Sequence, residues 1–325
     1  MNDDLALGID LGGTKLYAVV TDGHHNCLGE LKADTDSNAT PEKLAQDILE
    51  LGRNVLEQNQ IPFGKIQHFG LAVPSPVDPV NGNCYHATNL NWKNAALKEM
   101  ISQKLERPVY LGNDANLGLL AEFHCGAAKG FSTVVGYFIG TGLGGGVIIN
   151  GKLHHGNTGL AGELGHMIVK YNGRKCGCGH RGCAEAYCSK IAFVKAIKKA
   201  VFKHGLTTSI PLEKLNEETR NIKSKHLAKA YKAGDEVVCR VIDKGAVMLG
   251  VAAAGVTAAI APECIILGGG VISALGKEFL PVFRESFAEH LFGLPPEKIK
   301  ICCAGLGDRA VATGATLLAR AKGDL

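Results

Sequence analysis

One histidine and three cysteines stand close together in the middle of the chain. Gly162-Glu163-Leu164-Gly165-His166 is followed by Cys176-Gly177-Cys178-Gly179-His180-Arg181-Gly182-Cys183. Imidazole and thiolates in so short a window are the donor set of a tetrahedral Cys₃His zinc site, and the glycines permit a tight knuckle. With His166, Cys176, Cys178 and Cys183 at all four corners, such a zinc would be structural rather than an activator of water. Cys188 and His180 are rival ligands, and free thiols are the alternative to a metal.

Glycine-rich turns form a second group. Asp10-Leu11-Gly12-Gly13-Thr14-Lys15 combines a carboxylate, two glycines, a hydroxyl and an ammonium. Glycines let backbone N–H groups approach phosphate oxygens, Lys15 adds charge, and Asp10 could hold a hydrated Mg²⁺. The spacing is not that of a Walker A loop. Gly140-Thr141-Gly142-Leu143-Gly144 lies in a still denser glycine run whose entropic cost a purely structural turn would avoid. It fits a dinucleotide fingerprint only loosely, because a strand-like stretch, Val147 to Ile149, follows it. Gly268-Gly269-Gly270 follows the apolar run Cys264 to Leu267 and opens toward a helical pattern near Ser273. A nucleoside or phosphate could lie there against backbone. Finally, Asp114 sits where a strand ends and a helix begins, as an ordinary N-cap or as a general base toward a hydroxyl.

Alternating strand and helix patterns must position these groups, which points to an α/β class. Strands are expected at Leu5 to Ile9, Leu16 to Thr21, Ile66 to Val73 and Val109 to Leu111. Helices are expected at Pro41 to Gln58, with Thr40 as N-cap, at Trp92 to Leu105 and at Ala115 to Cys125. The strand–glycine turn–strand of residues 9 to 20 recurs near residues 133 to 149, which suggests two related domains. The charged stretch Leu212 to Lys244 reads as a pair of solvated helices, and Ala246 to Ala261 as a close-packed core helix.

Composition narrows the class. The chain has 325 residues, 46% hydrophobic and 20% charged, as a globular protein of two domains would. Its net charge of +4, with 6% aromatic residues, gives no support for a nucleic-acid-binding face. The 11 cysteines are odd in number, and the N-terminus lacks the pattern of a signal peptide. A reducing cytoplasm with buried thiols is therefore expected, and no membrane segment.

These motifs together resemble the ROK family of repressors and sugar kinases, from about Leu5 to Arg320. The resemblance rests on Asp10 to Lys15, on Asn113-Asp114-Ala115-Asn116, on Glu163 to His166 and on Cys176 to Glu185. It implies a two-domain hexokinase/actin-like (ribonuclease H-like) fold with an active-site cleft. A smaller domain would span 1–117, completed by about 306–325, and a larger one 118–305. It also implies phosphorylation of a hexose by ATP with Mg²⁺. Asp114 would be the base; Asn113, Glu163, His166 and Glu185 would hold sugar hydroxyls; His166 would bind zinc as well.

Pro74-Ser75-Pro76-Val77-Asp78 and Thr88-Asn89-Leu90-Asn91-Trp92 look like sugar-side segments of ROK glucokinases. They add Ser75, Thr88 and Asn89 to the candidate substrate residues. Ser75 departs from the usual glycine and leaves the hexose open. Glucose is the expected substrate; N-acetylglucosamine, N-acetylmannosamine, fructose or mannose are alternatives, and polyphosphate is an alternative donor. A homodimer or homotetramer is expected. A sugar-responsive repressor would carry a DNA-binding domain ahead of the first strand, which Leu5 leaves little room for.

Overall fold

The computed structural model describes residues 4–36, 38–75, 77–78, 84–87, 92–216 and 222–324. Two five-stranded sheets dominate it. In the first, β1 (Leu5–Leu11), β2 (Lys15–Thr21) and β3 (Cys27–Asp34) form an antiparallel meander. β4 (Ile66–Val73) then lies parallel to β1, and β7 (Val109–Asn113) parallel to β4, giving the order β3-β2-β1-β4-β7. Helix α1 (Pro41–Gln58) has the amphipathic spacing read in the sequence. Thr40 caps it by accepting from Lys43 N, and Leu44, Ile48, Leu51 and Val55 are buried.

A short hairpin, β5 (Cys84–Ala87) with β6 (Trp92–Ala95), precedes α2 (Leu97–Leu105). The single helix expected over Trp92 to Leu105 is thus half wrong. Pairing with β5 draws Trp92–Ala95 into a ladder, so the helix begins only after it.

The second sheet repeats the plan. β8 (Val134–Ile139), β9 (Leu143–Ile149) and β10 (Lys152–Leu153) are followed by β11 (Cys264–Gly268) and β12 (Lys300–Cys303), in the order β10-β9-β8-β11-β12. β11 runs parallel to both β8 and β12. β9 starts at Leu143 rather than Val147, so it takes Gly144 and its glycine neighbours into the strand.

Between β10 and β11 come α4 (Lys190–Lys198), α5 (Ser224–Lys232) and the long α6 (Glu236–Ile260). The last carries the apolar Ala246 stretch as a buried helix face. Helix α7 (Gly269–His290) starts four residues before the expected Ser273. Glycines read as loop from propensity alone, yet here the helix begins directly at the strand end.

Residues 1–131, 146–162 and 305–325 form one compact unit, and 132–145 with 163–304 another. In the first, α3 (Asp114–Cys125) and the terminal α8 (Ala310–Arg320) cover the sheet. α8 is rich in small residues because other backbone lies close against it: a Cβ on its Gly314 would stand 1.9 Å from the Leu117 carbonyl oxygen of α3. A Cβ on Gly70 of β4 would stand 1.9 Å from the Ala315 carbonyl oxygen. Arg320 fixes the end of α8 by donating to Asp4, Thr21 and Asp22. Among the described residues, no helix is long and apolar enough to cross a membrane.

Candidate functional site

In the first unit the candidate groups gather at the carboxyl ends of β1, β4 and β7. Asn113 ends β7 and caps α3, its Oδ1 accepting from Asn116 N at 3.1 Å. Its Nδ2 donates to the carbonyl of Ser75 at 3.4 Å, so the amide is held at both ends. Ser75 itself is buried, at 2% exposure. Asp114 is therefore the first residue inside the helix rather than its cap. Its Oδ1 accepts from Ala115 N at 2.7 Å, and the carboxylate is half-buried.

Asp10, at the end of β1, belongs to the same group. Burial pushes its carboxyl up to about 8, and the charges of Asp114 and Asp308 add to that. A buried carboxyl with two further carboxylates beside it makes a place suited to a cation. Gly12, Gly13, Thr14 and Lys15 form the turn from β1 into β2, closed by Gly12 N donating to the Lys15 carbonyl at 2.9 Å. Thr14 and Lys15 are exposed. Thr88 and Asn89 lie outside the described residues.

In the second unit the turn from β8 into β9 is closed by Gly140 N donating to the Gly142 carbonyl at 3.0 Å, with Thr141 exposed at its tip. Gly268, Gly269 and Gly270 meet this turn at its base. Gly269 has φ of +84°, and a Cβ there would sit 2.6 Å from the Ile139 carbonyl oxygen, next to Gly140. Helix α7 starts at that point with no side-chain cap, leaving first-turn N–H groups for a ligand. The structure thus brings two of the three glycine groups together.

The four residues of the His/Cys cluster come together in space. The donor atoms of His166, Cys176, Cys178 and Cys183 all lie within 4.8 Å of one another. Cys178 Sγ is 3.7 Å from Cys183 Sγ, and Cys176 Sγ is 3.8 Å from His166 Nδ1. The edge of a tetrahedron with ~2.3 Å metal–sulfur bonds is about 3.8 Å, so the spacing fits zinc. The knuckle is built by backbone: Cys176 N donates to His180 O at 2.8 Å and Gly179 N to Cys176 O at 3.2 Å. Of the rivals, Cys188 is fully buried away from this group, and His180 Nδ1 lies 3.6 Å from Cys178 alone.

Glu163 stands 4.0 Å from His166 Nε2, the ring nitrogen that does not face the cysteines. Burial raises its carboxyl pKa; the His166 charge opposes the rise and Glu185 adds to it. Glu185 lies on a short 3₁₀ turn (Ala184–Ala186) just after Cys183. Its Oε2 accepts from Leu143 N at 3.0 Å, and Cys176 Sγ donates to its Oε1 at 3.4 Å.

Two acidic residues were not singled out from the sequence. Asp308, in the Gly305-Leu306-Gly307-Asp308 run, bears on Asp10. Glu122 is wholly buried and accepts from the backbone N–H groups of Ala127, Gly305 and Leu306. Its signal is a carboxylate inside the apolar run Leu117 to Phe123 of α3, because a buried charge needs such partners.

A model of the ROK family matches residues 6–322. The chain is 32% identical over 317 residues to a glucokinase of Streptomyces coelicolor, covering 97% of this chain and 98% of that one. It is equally 32% identical over 309 residues to a xylose repressor of Caldicellulosiruptor bescii, covering 95% of this chain and 76% of the repressor. Among solved structures, a ROK family glucokinase from Streptomyces griseus in complex with glucose and AMPPNP superposes with a TM-score of 0.83 at 32% identity. That match covers 97% of this chain and 99% of the other. A ROK hexokinase from Thermus thermophilus gives 0.81 at 28%, covering 98% of each. The two repeated sheets are those of the two-domain, actin-like sugar kinase fold. With the family pattern running from residue 6 to residue 322, the chain belongs to the ROK family.

Proposed function

We propose that this ROK protein is a hexose kinase that transfers the γ-phosphoryl group of ATP to the 6-hydroxyl of glucose, with Asp114 as general base. The observation that carries the reading is the Asn113–Asp114 pair. A rigidly held amide adjoins a half-buried carboxylate at a helix N-terminus, in a unit where burial and two nearby carboxylates raise the Asp10 pKa. Relatives and neighbours named as glucokinases support the substrate.

The reaction needs little covalent chemistry from the protein. As the sugar O6 bonds to the γ-phosphorus, its proton passes to Asp114 and the bond to the bridging oxygen breaks, so ADP leaves with that electron pair. Asn113, Glu163, His166, Glu185 and Ser75 orient sugar hydroxyls, since carboxylates and amides can each meet two of them. Thr88 and Asn89 are proposed to join them. Backbone N–H groups of the two turns and of the α7 start hold phosphate oxygens, with Lys15 adding charge. Mg²⁺ at Asp10 would neutralise phosphate charge when bound. Zinc on His166, Cys176, Cys178 and Cys183 would be structural, fixing the loop that bears Glu163 and Glu185. Cytoplasmic location and self-association belong to the same reading.

The test is ADP release, by a coupled assay with ATP and Mg²⁺, across glucose, mannose, fructose, N-acetylglucosamine and N-acetylmannosamine. Glucose should give the highest kcat/KM, and absence of ADP release with every sugar sinks the reading. The likeness to xylose repressors favours a second one, a sugar-responsive regulator. It would show as xylose binding without turnover and as a mobility shift with DNA.

A further inference from the structure

Glu185 sits where the cysteine knuckle and the second glycine turn meet, and both of its oxygens are engaged. Oε2 accepts the N–H of Leu143, the residue that carries the turn into β9, at 3.0 Å. Oε1 lies 3.4 Å from Cys176 Sγ, a contact the free thiol donates and a metal-bound thiolate would give up. The lasting tie to the cluster is therefore the chain itself, two residues after Cys183. The backbone just beyond Glu185 grips the same turn. Lys190 N donates to the Gly140 carbonyl at 3.0 Å, and Ile191 N to that of Thr141 at 3.4 Å. Segment 183–191 thus begins at a cluster residue and ends on the turn, touching it at three points.

Packing reinforces the point. A Cβ on Gly142 would stand 2.5 Å from Glu185 Oε2, so the turn is shaped around this carboxylate. A hydroxyl-binding role alone would not require an oxygen to be committed to a backbone amide 42 residues away.

We propose that Glu185 is a positioning residue for the glycine turn, linking the His166–Cys176–Cys178–Cys183 cluster to the backbone of Gly140–Leu143. The proposal deepens the kinase reading, and rests on it where it calls that turn the nucleotide side. It makes nucleotide binding depend on the order of the cluster, though no cluster residue need touch nucleotide.

The experiment uses full-length protein purified without chelator. Backbone amide exchange over residues 140–145 and calorimetric titration with ADP and Mg²⁺ are compared for wild type, Glu185→Ala and Glu185→Gln. Alanine deletes the acceptor, whereas glutamine keeps a carbonyl for Leu143 N–H. Glu185→Ala should speed exchange in the turn and weaken ADP binding by about tenfold, the weight of one hydrogen bond to a charged group. Glu185→Gln should recover both to within about threefold while sugar binding stays impaired. Stripping the metal from wild type should move exchange in the same direction as alanine.

Exchange in β11 reports general integrity, so equal speeding there and in the turn overturns the local link. Unchanged exchange at 140–145 in Glu185→Ala overturns it too. If wild type binds no ADP, the kinase reading fails by itself, and the exchange comparison still decides the role of Glu185.

Discussion

The two glycine turns occupy the same place in two sheets of the same strand order, yet each acquires its carboxylate differently. In the first, Asp10 lies in β1 just ahead of the turn, and Gly12 closes onto Lys15 within the same loop. A Cβ at Gly12 would meet the Lys15 carbonyl at 2.8 Å, so the glycine answers to its own backbone. In the second, no acidic residue precedes the turn. The carboxylate is Glu185, and Gly142 is kept bare by that side chain. Both turns close on their own backbone, but the second is also held by a segment that begins at the cysteine knuckle. The difference separates a turn that sequence neighbours complete from one that a distant side chain shapes.

The largest expected effect falls in the unit with the locally complete turn. Asp114→Asn should lower kcat by about 10²–10⁴-fold, the usual contribution of a general base, while glucose binding by calorimetry stays near wild type. A variant keeping more than about a tenth of kcat would leave under ~1.4 kcal/mol for the carboxylate and would sink the assignment.

Next comes the turn that depends on Glu185. Gly142→Val drives a branched side chain into the carboxylate, so the KM for ATP should rise about tenfold or more, with the link to Leu143 lost. Gly12→Val strikes backbone instead, and cannot be relieved by trimming a side chain. The double variant Gly142→Val/Glu185→Ala should therefore be less than additive in KM, whereas Gly12→Val/Glu185→Ala should be additive. Additivity in both pairs would erase the contrast between the turns.

Much of this was legible because the signals were local. The 3.6-residue spacing of Leu44, Ile48, Leu51 and Val55 fixed α1 to its ends, and the Cys/His spacing picked out the four cluster residues. Asp114 lies at the strand–helix junction that the pattern predicts, but its neighbour Asn113 is the cap. What stayed hidden was set by partners far along the chain. Trp92–Ala95 is a strand because β5 pairs with it. Glu122 matters through Gly305 and Leu306, and Asp308 through Asp10. The engagement of Glu185 with Leu143 has no signature in spacing at all.

A smaller effect is expected at the cluster. Cys178→Ser should lower bound zinc below the one per chain that a closed tetrahedral site holds, measured by elemental analysis. The unit keeps its own core, so loss of the knuckle should be local. Through Glu163 and His166 it should raise the KM for glucose by about tenfold, and through Glu185 that for ATP by about threefold. A fully active protein without zinc would break the link between cluster and turns.

The last effect is one of pH rather than of rate, and it tests whether the Asp10 carboxyl holds a proton that a cation would displace. Its carboxyl is raised from 3.8 to about 8, first by burial and then by Asp114 and Asp308. In the unfolded chain the proton leaves near the ordinary value; in the folded protein it stays until about 8. Folding therefore takes up a proton across that window, and stability should fall as pH rises through it, levelling off outside. Asp10 keeps part of its surface in solvent, so screening leaves a slope worth about 1–3 kcal/mol in total, below the ideal linkage value. Asp10→Asn cannot ionise and should flatten the slope, making the variant more stable than wild type at pH 8 and equal to it near pH 4. Asp114→Asn should flatten it partly, since one of the neighbouring charges is gone. Added Mg²⁺ favours the ionised form, and should flatten the wild-type slope while leaving Asp10→Asn unchanged. Urea denaturation at four or five pH values with and without Mg²⁺ measures all three. A wild-type slope of zero between pH 4 and 8 would mean that Asp10 ionises freely, and the first turn would then have no unmet need for a cation.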